Sequence, residues 1–170
     1  LDTIIKDINT ILQSKRDEHE KKETIIFSKL VKDIMLSIAS LIAKHRVHIT
    51  TDFAEVDEMY SLKVYIYSIF YNLISNSIKY GRPEEPPFIE IKSKKENKRI
   101  ILTFKDNGLG IDMEKKGNKI FGLYNRFHSH VEGKGMGLFM VKTQVEALGG
   151  KITITSEPNK GTEFTVAFEI

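Results

Sequence analysis

The chain has 170 residues, 41% of them hydrophobic, a formal net charge of +3 and no cysteine. That length suits one compact domain plus an appendage, with apolar residues enough to bury a core. The charge is too small to argue for nucleic acid. The missing cysteines exclude disulfides and zinc–thiolate sites, and no apolar run approaches the ~18 residues of a membrane span. With no signal-peptide pattern at Leu1, the expectation is a cytoplasmic chain without membrane contact of its own, whose parent protein can still be membrane-anchored.

Residues 1–12 place Leu1, Ile4, Ile5, Ile8, Ile11 and Leu12 three and four apart, which predicts an amphipathic helix that needs a partner for its stripe. Lys15-Arg-Asp-Glu-His-Glu-Lys-Lys-Glu23 is almost wholly charged and reads as a solvated helix end or linker. Residues 24–45 carry Ile26, Leu30, Ile34, Ile38, Leu41 and Ile42 at helical spacing, a second amphipathic helix. Residues 47–53 alternate at period two, as a half-buried strand does. His45 and His48 flank its start with no third ligand nearby, so no metal site is expected there.

A helix is predicted over residues 61–80. Leu62, Ile66, Ile69, Phe70, Leu73, Ile74 and Ile78 form its broad apolar arc. Beside that arc Asn72, Asn76 and Lys79 fall within roughly 60° of one another. Two amides and an ammonium in line can hold a metal ion with an anionic ligand; they also suit the solvent edge of a half-buried helix. Arg82-Pro-Glu-Glu-Pro-Pro87 stops the helix. Residues 88–93 and 99–105 are two strands joined by a polar turn over 94–98. Asp106-Asn-Gly-Leu-Gly-Ile111 follows, and then the pattern breaks up through Gly135, as a lid or binding loop does. Within that run His128 and His130 bracket Ser129 and read as lid residues without catalytic duty. Gly133-Lys-Gly-Met-Gly-Leu138 leads into a helix over 138–148 that Gly149-Gly150 ends. Its spacing fits neither the dinucleotide fingerprint nor the P-loop, but backbone N–H groups at a helix start favour phosphate. Two strands, 151–156 and 162–168, close the chain around a turn over 158–161.

The four motifs Asn72-Leu-Ile-Ser-Asn-Ser-Ile-Lys-Tyr80, Asp106-Asn-Gly-Leu-Gly-Ile111, Gly133-Lys-Gly-Met-Gly-Leu138 and Gly161-Thr-Glu-Phe164, in that order, resemble the N, G1, G2 and G3 boxes of the ATP-binding catalytic domain of sensor histidine kinases. Ile120-Phe-Gly-Leu-Tyr-Asn-Arg-Phe127 is similar to the F box between G1 and G2. The resemblance implies an α+β Bergerat-type fold: a two-layer α/β sandwich whose mixed, mostly antiparallel sheet is covered on one face by about three helices, with a short N-terminal helical tail. It implies that residues 24–170 are the ATP-binding domain and residues 1–23 the end of the dimerisation and phosphotransfer hairpin. ATP and Mg²⁺ are the ligands it implies.

Residue by residue, the resemblance makes Asn76 the Mg²⁺ ligand with Asn72 in support, and it sets Lys79 and Tyr80 against phosphate and sugar. Asp106 would accept a hydrogen bond from the adenine amine, where guanine presents an oxygen instead. Gly108 and Gly110 would let the backbone approach the base, and Lys134, Gly135, Gly137 and Leu138 would line the phosphates. Arg126 would reach the terminal phosphate, Phe121 and Phe127 would anchor the lid, and Thr162 would stand beside the adenine pocket. Relatives such as gyrase that hydrolyse ATP place a glutamate where Asn72 stands, and an amide cannot activate water. The implied activity is therefore transfer of the ATP γ-phosphoryl group to a histidine on a dimerisation hairpin, for relay to a response-regulator receiver domain, in a homodimeric parent. His19 lacks the His-Glu-Leu-Arg-x-Pro-like context of an acceptor, so this chain is not expected to phosphorylate itself. The competing readings are an anti-sigma-type serine kinase and a non-catalytic nucleotide-sensing module of the same fold.

Overall fold

The computed structural model describes residues 21–116, 120–121 and 137–170. In chain order the elements are β1 (Glu23–Ile26), α1 (Phe27–Ser37), α2 (Ala39–His45), β2 (His48–Asp52), β3 (Glu58–Ser61), α3 (Lys63–Lys79), β4 (Phe88–Glu96), β5 (Arg99–Asp106), α4 (Met113–Lys116), α5 (Gly137–Ala147), β6 (Lys151–Glu157) and β7 (Gly161–Glu169). Five strands form one sheet in the order β2-β4-β5-β7-β6. Only the β2–β4 pair is parallel, so the sheet is mixed and mostly antiparallel, as expected.

Alternation along these strands sorts the side chains into two faces. Ile91, Phe104 and Phe164 lie in register, as do Leu102, Val166 and Ile152, and all are buried. The opposite face carries Glu90, Lys105 and Glu163 in one row and Thr103, Thr165 and Thr153 in the next, a solvated surface with opposite charges paired across strands. Helices cover the apolar face alone. The Phe70 ring of α3 meets Phe104 of β5 edge-on, with centroids 5.0 Å apart, and Phe27 of α1 stacks on Phe70 at 5.8 Å. Each such buried ring contributes about 2–3 kcal/mol of transfer free energy. Val141 and Val145 bring α5 against α3 and β6.

Three local expectations change. Residues 24–45 are not one helix: 23–26 form β1, which pairs antiparallel with β3 from Glu23 opposite Ser61 to Ile26 opposite Glu58. Ile25 points inward and Ile26, expected in the helix stripe, points out. The β-branched run Thr24-Ile25-Ile26 favours extended backbone once a partner strand is there. The helix then starts at Phe27, where Asp57 accepts from the Ser28 backbone N–H at 2.9 Å and from its hydroxyl at 2.7 Å. A carboxylate at that end also suits the helix dipole. At Ile38, with ψ near 25°, the chain leaves helical geometry before α2 begins. Finally, the β4–β5 turn is only Asn97-Lys98, both at positive φ (49° and 63°). That is the hairpin geometry matching strand twist, so both strands run longer than the polar residues suggest. No described helix is long and apolar enough to cross a membrane. The tail at residues 1–20 lies outside the described residues.

Candidate functional site

The site is built where the C-terminal half of α3, the β5–α4 loop, the start of α5 and the β6–β7 turn converge. Asn72, Asn76 and Lys79 share one side of α3, as their spacing requires. The Asn72 amide nitrogen donates back to Ser68, to its carbonyl oxygen at 2.8 Å and its hydroxyl at 3.2 Å. Its carbonyl oxygen therefore faces outward, toward Gly137 at the first turn of α5. The half-buried Asn76 amide makes no side-chain hydrogen bond to any described residue. Lys79 is exposed, its ammonium 5.7 Å from the centre of the Tyr80 ring.

Asp106 is the last residue of β5. One carboxylate oxygen accepts from the Gly108 N–H at 2.9 Å and the Thr162 N–H at 3.1 Å; the other accepts from the Ser77 hydroxyl at 2.8 Å. A carboxylate has about four acceptor positions, so roughly one remains, on the oxygen that Ser77 holds. Burial raises the Asp106 pKa above the ordinary carboxylate value, and the hydrogen bonds from Gly108, Ser77 and Thr162 oppose that rise. The group is thus a positioned acceptor with one vacancy for an N–H donor.

The loop after Asp106 is held from both sides. The Tyr80 carbonyl, at the end of α3, accepts from the Leu109 N–H at 2.9 Å, and a β-carbon on Gly108 would stand 2.6 Å from that carbonyl oxygen. On the far side Gly110 has φ +72°, and a β-carbon there would lie 1.9 Å from the Glu157 carbonyl oxygen. Neither position admits a side chain without moving backbone. Ser156 ties the same loop to the sheet. Its hydroxyl accepts from the Ile111 N–H at 2.8 Å and donates to the Gly161 carbonyl at 2.9 Å, so in its 2.8 Å contact with Thr162 the threonine is the donor. The Thr162 hydroxyl then keeps its acceptor positions beside Asp106.

Sequence reasoning missed a second layer around this loop. Arg82 donates to the Asn107 carbonyl at 2.9 Å, to the Asn159 carbonyl at 3.1 Å and to Glu85 at 2.6 Å. Asn107 in turn accepts from the Phe88 N–H at 2.8 Å and donates to the Pro86 carbonyl at 3.1 Å. A single guanidinium thus straps the β5–α4 loop to the β6–β7 turn. Ser77 carried one legible signal, a lone hydroxyl within the apolar arc of α3. Of the expected site residues, Asn72, Asn76, Lys79, Tyr80, Asp106, Gly108, Gly110, Gly137, Leu138 and Thr162 lie in or beside this constellation. Arg126, Phe127, His128, His130, Lys134 and Gly135 fall outside the described residues. Phe121 is described, and its ring packs 6.5 Å from Phe164.

The architecture is an α+β domain with helices on one face of a mixed sheet, and the polar constellation lies where helix, loop and turn meet. The family model for histidine kinase-, DNA gyrase B-, and HSP90-like ATPases matches residues 62–170, and the chain belongs to that family. It is similar to the sensor protein RprX of Bacteroides fragilis, 26% identical over 155 residues that make up 88% of this chain and 30% of RprX. It also matches the sensor protein kinase WalK of Staphylococcus haemolyticus, 27% identical over 177 residues, 96% of this chain and 28% of WalK. The chain therefore spans about a third of the length of these relatives. Its fold matches that of the Acinetobacter baumannii histidine kinase AdeS with a TM-score of 0.78 at 20% identity, over 99% of this chain and 77% of that one. The domain is of the kind that serves as the ATP-binding catalytic unit of sensor histidine kinases.

Proposed function

We propose that this domain transfers the γ-phosphoryl group of ATP to a histidine on the dimerisation hairpin of its parent kinase, for relay to a response-regulator aspartate. The observation that carries the reading is the single open acceptor position on Asp106, set beside an α3 stripe in which asparagine stands at position 72. An acceptor there selects the amine of adenine over the oxygen of guanine. In the transfer, a neutral imidazole nitrogen attacks the γ-phosphorus while the bond to the β–γ bridging oxygen breaks, and the electron pair leaves on ADP. Residues of this chain position the nucleotide and neutralise charge; Asn72 offers no carboxylate to activate water, so hydrolysis is not the favoured outcome.

Mg²⁺ fits the donor set: the Asn76 carbonyl oxygen has no partner among the described residues, and the outward oxygen of Asn72 lies one turn away. Neutral amide oxygens suit this ion when phosphates bring the charge, and the ion would supply charge neutralisation. Lys79, Lys134 and Arg126 are assigned to the phosphates, Tyr80 to the sugar, Gly108, Gly110 and Thr162 to the base, and Gly135, Gly137 and Leu138 to the phosphate-facing turn. Residues 1–23 are read as the end of the hairpin's second helix and its linker, residues 24–170 as the ATP-binding domain, and the parent as a homodimer that keeps this domain in the cytoplasm.

The test is labelling with γ-labelled ATP and Mg²⁺. The chain alone binds nucleotide but takes up no label, a fragment bearing the parent's hairpin becomes labelled on histidine when added, and Asn76→Asp abolishes that transfer. Label on His19, or on serine of a partner, would overturn the proposal.

A further inference from the structure

The side chains at the base end of the site can be sorted by where their hydrogens go. Ser156, near the end of β6, is buried, and three groups stand within hydrogen-bond distance of its oxygen. The Gly161 carbonyl at 2.9 Å can only accept, so it takes the one Ser156 hydrogen. The Ile111 N–H at 2.8 Å can only donate, so it fills one lone pair. The lone pair that remains faces Thr162 at 2.8 Å, and the Thr162 hydroxyl commits its own hydrogen there. Ser77 commits its hydrogen to Asp106 at 2.8 Å, and the Asp106 carboxylate has none. Thr162 lies directly against Asp106. Its N–H donates to the carboxylate at 3.1 Å, and a β-carbon on the preceding Gly161 would stand 2.0 Å from the Asp106 carbonyl oxygen. Asp106, Ser77 and Thr162 therefore form a wall of acceptors in which no side chain has a hydrogen to give.

We propose that Ser156 is a positioning residue that fixes the Thr162 hydroxyl as an acceptor, so that nucleotide choice depends on the hydrogens the ligand brings. The inference rests on the proposed binding of ATP. The adenine edge brings two hydrogens on its 6-amine. Hypoxanthine brings one, on N1, and in place of the amine an oxygen that finds no hydrogen on this wall. An acceptor buried against acceptors gives up its water and gains no bond in return. Ser156 acts here through Thr162 and not on the ligand. Its single hydrogen is held by Gly161, so it cannot be passed back to Thr162. Without the Ser156 oxygen, the Thr162 hydroxyl, on a residue only 9% exposed, has to find another acceptor. The Asp106 carboxylate beside it keeps an open lone pair, and a carbonyl on the ligand offers another. Either way the wall then contains a hydrogen, which removes an acceptor from ATP and gives hypoxanthine a donor.

The test is the ratio of ATP to inosine triphosphate affinity, from calorimetric titration of the full 170-residue chain in MgCl₂. The two nucleotides differ only at the 6-position and N1, and the parent chain is expected to prefer ATP. Ser156→Ala should lower that preference roughly 3- to 10-fold, the size of one neutral hydrogen bond. Ser156→Thr, which keeps the hydroxyl, should hold it within twofold of the parent. Thr162→Val keeps the outline of the side chain and leaves Ser156 in place. It should also lower the preference, and adding Ser156→Ala to it should change the ratio by less than twofold. A preference left unchanged by Ser156→Ala or by Thr162→Val would overturn the proposal. So would a drop on Ser156→Ala of the same size with and without Thr162→Val, because a merely loosened loop gives that result. A parent chain that binds the two nucleotides equally would remove the ATP reading itself, whereas a preference for ATP that is indifferent to Ser156 would remove this inference alone.

Discussion

Replacing Asp106 by asparagine separates what the carboxylate does for the ligand from what it does for the fold. The amide keeps an oxygen for the Gly108 and Thr162 N–H groups, and its nitrogen turns toward Ser77, whose hydroxyl can reverse and accept. The position that was open to an N–H donor then presents an N–H itself. A hydrogen bond to a charged acceptor contributes about 1.5–3 kcal/mol, so ATP affinity should fall about 10- to 150-fold. Affinity for GTP should fall less, because guanine presents an oxygen to that nitrogen. The fold should respond in the opposite sense. The folded-state pKa of Asp106 is raised by burial, so the native state holds its proton to higher pH than the unfolded chain does. The group's contribution is most favourable below its unfolded pKa and is lost as pH rises through the folded one. Asparagine does not titrate, so the stability of Asp106→Asn relative to the parent chain should increase from pH 4 toward pH 7, as urea unfolding would record. Calorimetric titration measures the nucleotide side. ATP affinity within twofold of the parent chain would refute the assignment of the open position, and a relative stability that falls as pH rises would refute the electrostatic argument.

Two further substitutions test the supports. Arg82→Ala removes both carbonyl straps and should cost about 1–3 kcal/mol with weakened ATP binding, while Glu85→Ala removes an exposed ion pair and an exposed 3.3 Å hydrogen bond from the Asn107 amide and should change stability by about 1 kcal/mol or less; urea titrations of both compare them directly. Gln144 is 4% exposed in α5, and its side-chain oxygen has no partner among the described residues. Gln144→Met should therefore raise the melting temperature, by an amount set by the roughly 1–3 kcal/mol cost of an unsatisfied buried polar atom, with ATP affinity unchanged.

The parts of the fold that were legible in sequence are those whose pattern is local and long. Seventeen residues of α3 repeat their apolar arc through four turns, and the five strands of the main sheet alternate over five residues or more. The β1–β3 ribbon was not legible because each strand has four residues, and because Ile26 continues the spacing of Leu30 and Ile34 into a false helical turn. Its extended state depends on a partner about 35 positions away in sequence, which propensity does not report. The same division runs through the site. Asp106 announces itself by the Asn-Gly-Leu-Gly that follows it, and Asn72 and Asn76 by their polarity on an apolar helix. Ser156 and Arg82 carry no such flag, and Ser77 shows only its hydroxyl within the apolar arc, because their roles arise from contacts with residues 45, 77 and 29 positions distant.

The most direct measurement of the central claim is an ¹⁵N-correlated spectrum of the whole chain titrated with ATP and MgCl₂. The account predicts that the largest shifts fall on the Asn72 and Asn76 side-chain amides and on the backbone amides of Ser77, Gly108, Gly110 and Thr162. Saturable shifts centred instead on Thr103, Thr153 and Thr165 of the solvated sheet face, or none at any of these residues at millimolar ATP, would contradict it.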